Sequence, residues 1–124
     1  MRTPMRFPLA ATAVAAMLGL SGLAMVPGSA VAADEEVIEE GRDLAFNRTK
    51  GNCLACHQIQ GGNLAGNIGP PLVAMSSRLS KEELRSQLED STDRDPNTMM
   101  PPFKKHGILT DEEIDKIVEF VYQL

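Results

Sequence analysis

The stretch Cys53-Leu54-Ala55-Cys56-His57 decides how the rest of the chain is interpreted. Two cysteines separated by two residues and followed at once by a histidine form the attachment signal for c-type haem. The two thiols add to the vinyl groups of the haem, and the tight spacing, typical of one helical turn, directs the histidine ring towards the iron. The sequence therefore predicts one covalently bound haem c, held by Cys53 and Cys56, with His57 as proximal ligand.

Three other uses of this motif fit the sequence less well. A thioredoxin-type redox pair requires a strand before the motif and a helix after it in a larger α/β pattern, which the sequence does not show. A tetrahedral zinc site requires four nitrogen or sulfur ligands. The chain has two cysteines and two histidines, and nothing pairs His106 with the other three. A structural disulfide would leave His57 unexplained.

The first 32 residues have the features of a secretory signal peptide. Arginines at positions 2 and 6 precede an apolar run rich in alanine and leucine, and Ala30-Val31-Ala32 fits the small-residue pattern of a cleavage site. We therefore expect residues 1–32 to be cleaved, with a cut after residue 33 as the alternative. Residues 33–124 would then form one periplasmic cytochrome domain. A retained anchor is the other interpretation, but the apolar run is short for a bilayer, so no membrane insertion of the mature chain is expected.

The mature chain is small and acidic. Cleavage after Ala32 leaves 92 residues with 10 basic side chains, since two arginines are lost, against 17 acidic ones, which gives a formal charge of −7. Such a charge does not suit nucleic acid or an anionic membrane surface. The whole chain has four phenylalanines, one tyrosine and no tryptophan, so side chains alone would give a thin core. A covalently held haem would supply the missing apolar volume.

Three amphipathic segments predict helices, and each has a recognisable cap. The caps are Asp34 for the first helix and the capping boxes Ser80/Glu83 and Thr110/Glu113 for the other two. The second helix is expected to run to about Asp90 and the third to the C-terminus. Gly41 inside the first helix costs about 1 kcal/mol relative to alanine, so we expect another helix to approach closely there. These segments predict an all-α fold of several short helices around one haem.

Two adjacent methionines, Met99 and Met100, stand before a pair of prolines. A helix cannot continue through the prolines, so extended backbone presents the methionines. Thioether sulfur is a haem-iron ligand, and a His/Met pair raises the reduction potential relative to His/His. Methionine also fills gaps in cores, and we assign that role to Met75. The sixth ligand is therefore expected to be Met99 or Met100.

Pro70 follows a loop rich in glycine and asparagine. Proline has no N–H but keeps its carbonyl, so Pro70 can accept a hydrogen bond from the far nitrogen of His57 and fix that ring. The alternative is that Pro70 and Pro71 only stiffen the loop.

The order of these motifs resembles a class I cytochrome c. The shared features are Gly41, Cys53-x-x-Cys56-His57, Gly69-Pro70-Pro71-Leu72, Met100-Pro101 and an amphipathic C-terminal helix. The resemblance covers nearly the whole mature chain and implies that Gly41 packs against the last helix near Ile117 and Phe120. It also implies that Pro70 orients His57, that Pro70 and Leu72 border the haem, and that Met100 is the sixth ligand, with Met99 as the runner-up.

A closer resemblance is to the SoxX family, the small monohaem subunits of the SoxAX cytochrome complex of periplasmic sulfur oxidation. It is carried by residues 50–57, 66–75 and 99–103 together. It implies a heterodimer with a larger SoxA subunit, which has the catalytic haem and a modified cysteine and joins thiosulfate to a cysteine of the carrier complex SoxYZ. This activity is an L-cysteine S-thiosulfotransferase. The small subunit would pass the electrons to a downstream cytochrome, so catalysis is expected on the partner subunit.

Three functional hypotheses follow from the sequence. The chain could be the electron-transfer subunit of such a complex, a free-standing soluble cytochrome c shuttle, or a haem peroxidase or gas sensor. The third would be expected to lack a strong sixth ligand, whereas two methionines are available. Lys104, Lys105 and His106 form a local basic cluster after the methionines. We expect either a solvated loop or a docking site for an acidic partner or the larger subunit.

Overall fold

The computed structural model describes residues 34–124, and this part of the chain contains three α-helices and no strand. The helices are α1 (Glu35–Phe46), α2 (Lys81–Glu89) and α3 (Asp111–Tyr122), and short 3-10 helices lie in the connections at Cys53–Ala55, Met75–Ser77 and Ser91–Asp93. None of the described helices is long and apolar enough to cross a bilayer. The all-α prediction is confirmed. The proposed signal peptide, residues 1–32, lies outside the described residues.

Each α-helix begins at the cap predicted from the sequence. The Asp34 side chain accepts a hydrogen bond from the backbone N–H of Glu36 at 3.3 Å. In the second cap, Ser80 Oγ accepts from the N–H of Glu83 at 3.2 Å, and the Glu83 carboxylate accepts from the N–H of Ser80 at 2.8 Å. The box at the start of α3 has the same reciprocal pair, at 3.2 and 2.9 Å. These bonds satisfy amide groups that the first helical turn leaves without partners.

The end of α3 differs from the prediction, because the helix stops at Tyr122 rather than at the last residue. The N–H of Gln123 still bonds to the carbonyl of Phe120 at 3.1 Å, as in a closing turn. The carbonyl of Leu124 instead accepts the N–H of Met75 at 2.9 Å. This tertiary bond ties the chain end to the loop after the haem motif, which a local sequence pattern could not indicate.

Helices α1 and α3 cross at Gly41, as expected. A Cβ atom at this position would lie 2.0 Å from the backbone oxygen of Lys116 and 3.0 Å from the Cβ of Phe120. Beside the crossing, the rings of Phe46 and Phe120 meet edge to face, with centroids 5.9 Å apart. Only glycine permits this approach, so the position fixes how the two longest helices meet.

Helix α3 lies at the centre of the fold and packs against both α1 and α2. Its residues Ile114 and Ile117 are fully buried. The other buried apolar residues are Ala45, Ile59, Met75, Leu84, Leu88, Phe103, Leu109, Val118, Phe120 and Val121. Met75 thus packs in the core, as predicted. Ion pairs such as Lys81 to Glu119, at 2.6 Å, also link α2 to α3, but partly exposed pairs are worth about 0 to 1 kcal/mol each.

Candidate haem site

A cavity of about 1060 Å³ lies between the cysteine motif, α2, the methionine loop and α3. Its lining includes all the residues predicted for the site, which are Cys53, Cys56, His57, Pro70, Leu72, Met99 and Met100. The core supplies apolar walls from Leu84, Leu88, Phe103, Ile117, Val118 and Val121. Apolar walls with a few converging polar groups are typical of a cofactor site.

The cysteine motif forms one helical turn, as its spacing suggested, and this turn starts as the 3-10 helix Cys53–Ala55. The turn begins at Asn52, whose φ of 47° lies in the left-handed region. The N–H of His57 bonds to the carbonyl of Cys53 at 2.8 Å, which closes the turn. Farther along, the N–H of Gly69 bonds to the carbonyl of Cys56 at 2.9 Å. The loop after the motif therefore folds back onto it, and both thiols and the imidazole reach the cavity.

The ring of His57 is held by the Gly69-Pro70 segment. Its Nδ1–H donates to the carbonyl of Pro70 at 2.7 Å, so the contact predicted from the sequence is present. A Cβ atom on Gly69 would lie 2.4 Å from Cε1 of the ring. Because the carbonyl can only accept, Nδ1 carries the proton and Nε2 keeps its lone pair for a metal.

The thiol of Cys53 is in an environment unlike that of a redox-active pair. Burial raises the pKa of Cys53 to about 11, whereas a reactive cysteine has a lowered pKa and attacks as the thiolate. The described residues also lack the α/β pattern of a thioredoxin fold. His106 is not among the residues that line the cavity, so the four ligands of the zinc alternative do not come together.

The two methionines of the candidate pair differ in how they are held. Met99 is 76% exposed, while Met100 is partly buried against the core. The backbone of Met100 is fixed on both sides: its N–H donates to Thr98 Oγ1 at 3.1 Å, and its carbonyl accepts from Ser91 Oγ at 2.6 Å. Both methionines line the cavity, but only Met100 combines burial with these bonds.

Sequence reasoning did not find several residues that shape the cavity. The Arg78 guanidinium donates to the carbonyls of Pro71 and Val73, at 3.3 and 3.5 Å, and contacts Met75 Sδ at 3.6 Å. It thereby holds the loop that carries the proline pair. Ser91 is fully buried and bonds to Met100. A serine two residues beyond the end of α2 has no special sequence signal, because its burial depends on tertiary packing.

The basic cluster after the methionine loop has its charges balanced. Lys104 pairs with Asp111 at 2.6 Å and with Glu89 at 3.2 Å, and Lys105 pairs with Asp90 at 2.6 Å. These hydrogen-bonded carboxylates raise the pKa of both lysines. No residue of the cluster lines the cavity. The contacts favour the solvated-loop interpretation over a docking site.

These residues fit a haem c by the chemistry of their donor atoms. The cavity brings together two thiols, an imidazole whose Nε2 is available, a partly buried thioether and apolar walls. Cys53 and Cys56 would hold the group, and the walls would cover the macrocycle. When bound, haem supplies one-electron redox chemistry.

The family model named cytochrome c matches residues 38–124. The chain belongs to the cytochrome c family. It is a cytochrome c electron-transfer domain with one covalently bound haem c, and the covalent-haem prediction is confirmed. The class I cytochrome c-like fold is confirmed as well.

Two known proteins are similar to this chain in sequence or in structure. The chain is similar to the cbb3-type cytochrome c oxidase subunit CcoP of Cereibacter sphaeroides, with 27% identity over 104 residues that cover 77% of this chain. It spans 35% of the length of that protein. It is also similar to a chain in the crystal structure of SoxXA from P. pantotrophus, with a TM-score of 0.62 and 27% identity over 68% of this chain and 78% of that one. The chain is thus a SoxX-like monohaem cytochrome.

Proposed function

We propose that this chain is the electron-transfer subunit of a periplasmic SoxAX-like complex that oxidises thiosulfate onto a cysteine of a carrier protein. The observation that carries the electron-transfer part is the convergence of His57 and Met100 on one apolar cavity. His57 and Met100 would both bind the iron of a bound haem and would leave it no open coordination site. A peroxidase or gas sensor needs such an open site, so the pair favours electron transfer.

The surrounding residues suit this role. The Pro70 carbonyl fixes the orientation of the imidazole and increases its basicity as a ligand. Apolar core residues such as Ile117 and Val121 keep water away from the site. Burial and axial-ligand identity are the main ways in which a protein sets a haem potential. In this role the chain transfers electrons and does not itself form or break a covalent bond of the substrate.

Support for the complex comes from the likeness to a chain of SoxXA. In the proposed reaction, thiosulfate and a carrier thiol form one S–S bond and release one proton and two electrons. The larger SoxA-like subunit would carry out this step. The electrons would leave one at a time through the haem held by Cys53 and Cys56 to a downstream cytochrome, because one haem accepts one electron.

Exposed apolar side chains line the same cavity. Ile68 is 62% exposed and Met99 is 76% exposed, and both belong to the cavity lining. A bound haem would cover part of this apolar surface, and the part left exposed beside the cavity is typical of a site that a partner protein covers. We propose that the larger subunit docks here, close to the haem, and that residues 1–32 direct export to the periplasm.

The test is co-purification of the mature protein from the periplasm of its native host, followed by mass spectrometry of the bound chains. A larger cytochrome subunit in equal amount supports the proposal, as does thiosulfate-dependent reduction of the haem when the carrier is added. Ile68→Asp should weaken the association, whereas Val73→Asp, at a residue that is 54% exposed and does not line the cavity, should not. Elution as a single chain would contradict the complex and favour a free-standing shuttle.

A further inference from the structure

Gln87 lies on α2 and reaches into the cavity, where its side-chain amide contacts the methionine proposed as ligand. Nε2 donates to Met100 Sδ at 3.7 Å, a hydrogen-bond distance for sulfur. Gln87 is partly buried and lines the cavity. Sulfur of a thioether is a weak acceptor, so this contact is not needed to satisfy the methionine.

A second hydrogen bond to the same methionine comes from the short 3-10 helix that follows α2. Ser91, four residues after Gln87, donates Oγ–H to the Met100 carbonyl at 2.6 Å. The α-helix ends at Glu89 between these two residues, and Asp90 is extended before the 3-10 helix Ser91–Asp93 begins. The end of α2 and the turn that follows it therefore hold both the sulfur and the carbonyl of Met100.

We infer that Gln87 positions the Met100 sulfur and raises the reduction potential through its hydrogen bond to that atom. The inference rests on the proposed ligation by His57 and Met100. A methionine side chain has three rotatable bonds, so a bond at Sδ selects among the rotamers that the backbone bonds leave open.

The direction of the change in reduction potential follows from what the hydrogen bond does to the electron density on the sulfur. Sδ has two lone pairs, so one would remain for the iron of a bound haem while the other accepts from Gln87. An N–H donor withdraws electron density from the sulfur, which makes it a weaker donor to ferric iron. Hydrogen bonds to ligands are one of the ways in which a protein tunes haem. The Gln87 amide therefore favours the ferrous state.

Two variants of Gln87 test this inference. Gln87→Met removes the donor at similar volume, and Gln87→Asn keeps the amide but shortens the side chain by one methylene, so that it cannot reach Sδ. Both should lower the potential, with a change on the order of fivefold in the ferrous-to-ferric ratio, or about 40 mV at 59 mV per tenfold. The weak far-red band of sulfur-ligated ferric haem should shift but persist.

Gln60→Met is the matched control, because Gln60 is exposed and does not line the cavity. It should leave the potential and the band unchanged. An unchanged potential in Gln87→Met would overturn the inference. So would a wild-type potential in Gln87→Asn beside a lowered one in Gln87→Met, since amide polarity rather than the hydrogen bond would then set the value. If Gln87→Met does not mature, Gln87→Asn alone gives the deciding measurement.

The same spectra separate this inference from the proposed ligation. A far-red band that Met100→Ala abolishes, together with an unchanged potential in the Gln87 variants, contradicts only the role of Gln87. A wild-type protein without the band, or a band that survives in Met100→Ala, contradicts ligation by Met100 and overturns the inference with it.

Discussion

Met100 and Met99 are neighbours in sequence, but their surroundings differ in the way that a ligand assignment requires. The sulfur of Met100 accepts a bond from Gln87 and its backbone is tied to Thr98 and Ser91, whereas Met99 is 76% exposed. A buried, oriented thioether binds iron with less loss of side-chain entropy than a free one. The assignment to Met100 therefore has a structural basis as well as a family resemblance.

Met100→Ala should abolish the far-red sulfur band of the oxidised protein and lower the reduction potential, because the thioether, which favours ferrous iron, would be lost. Met99→Ala is the matched control and should leave the band intact. Optical spectra with a redox titration measure both effects. The reverse pattern would move the assignment to Met99.

The segments predicted best from the sequence are those fixed by local chemistry. The boxes Ser80/Glu83 and Thr110/Glu113 act over three residues, so their pattern alone marks the helix starts. The contact of Gln87 with Met100 joins residues 13 apart across a loop, and no local pattern indicates it. The pairing of Lys104 with Asp111 depends in the same way on how the methionine loop meets α3, so the basic run in the sequence fits a docking site as well as a solvated loop.

At the scale of elements, the crossing of α1 and α3 determines the shape of the fold. Gly41→Ala would place a methyl group 2.0 Å from the backbone oxygen of Lys116. Backbone cannot yield as a flexible side chain does, so the helices must separate. We expect the free energy of unfolding to fall by about 3 kcal/mol, the upper part of the range for overpacking.

Chemical denaturation of the haem-loaded protein measures this loss. Asp43→Ala is the control, since Asp43 is exposed on the same helix, and surface changes usually stay within about 0.5 kcal/mol. Equal free energies of unfolding for Gly41→Ala and the wild type would contradict the close approach of α1 and α3 at this position.

At the scale of the whole molecule, ion pairs make stability depend on pH at both ends of the scale. Hydrogen bonds from Lys105 and Thr92 lower the pKa of Asp90 to about 2, from the ordinary 3.8. This contribution is present above pH 3.8 and is lost as the pH falls towards about 2. The hydrogen bond to Asp90 raises the pKa of Lys105 above 10.5, so its contribution is present below pH 10.5 and lost above it.

We therefore expect the free energy of unfolding to be nearly constant around neutral pH and to decline below about pH 4 and above about pH 10. Denaturation at a series of pH values measures the profile. Asp90→Asn should reduce the acid decline, and Asp43→Asn should leave it unchanged. A profile in Asp90→Asn that coincides with that of the wild type would contradict the role given to this pair.

The most direct test of the account is the mass of the exported protein under denaturing conditions. The account predicts a chain that begins at Ala33 or Asp34, because the proposed signal peptide would be cleaved, and that carries the mass of one haem through Cys53 and Cys56. Denaturation separates a non-covalent group from the chain but leaves thioether bonds intact. A chain with the mass of the polypeptide alone, with free haem in the solvent, would contradict the account.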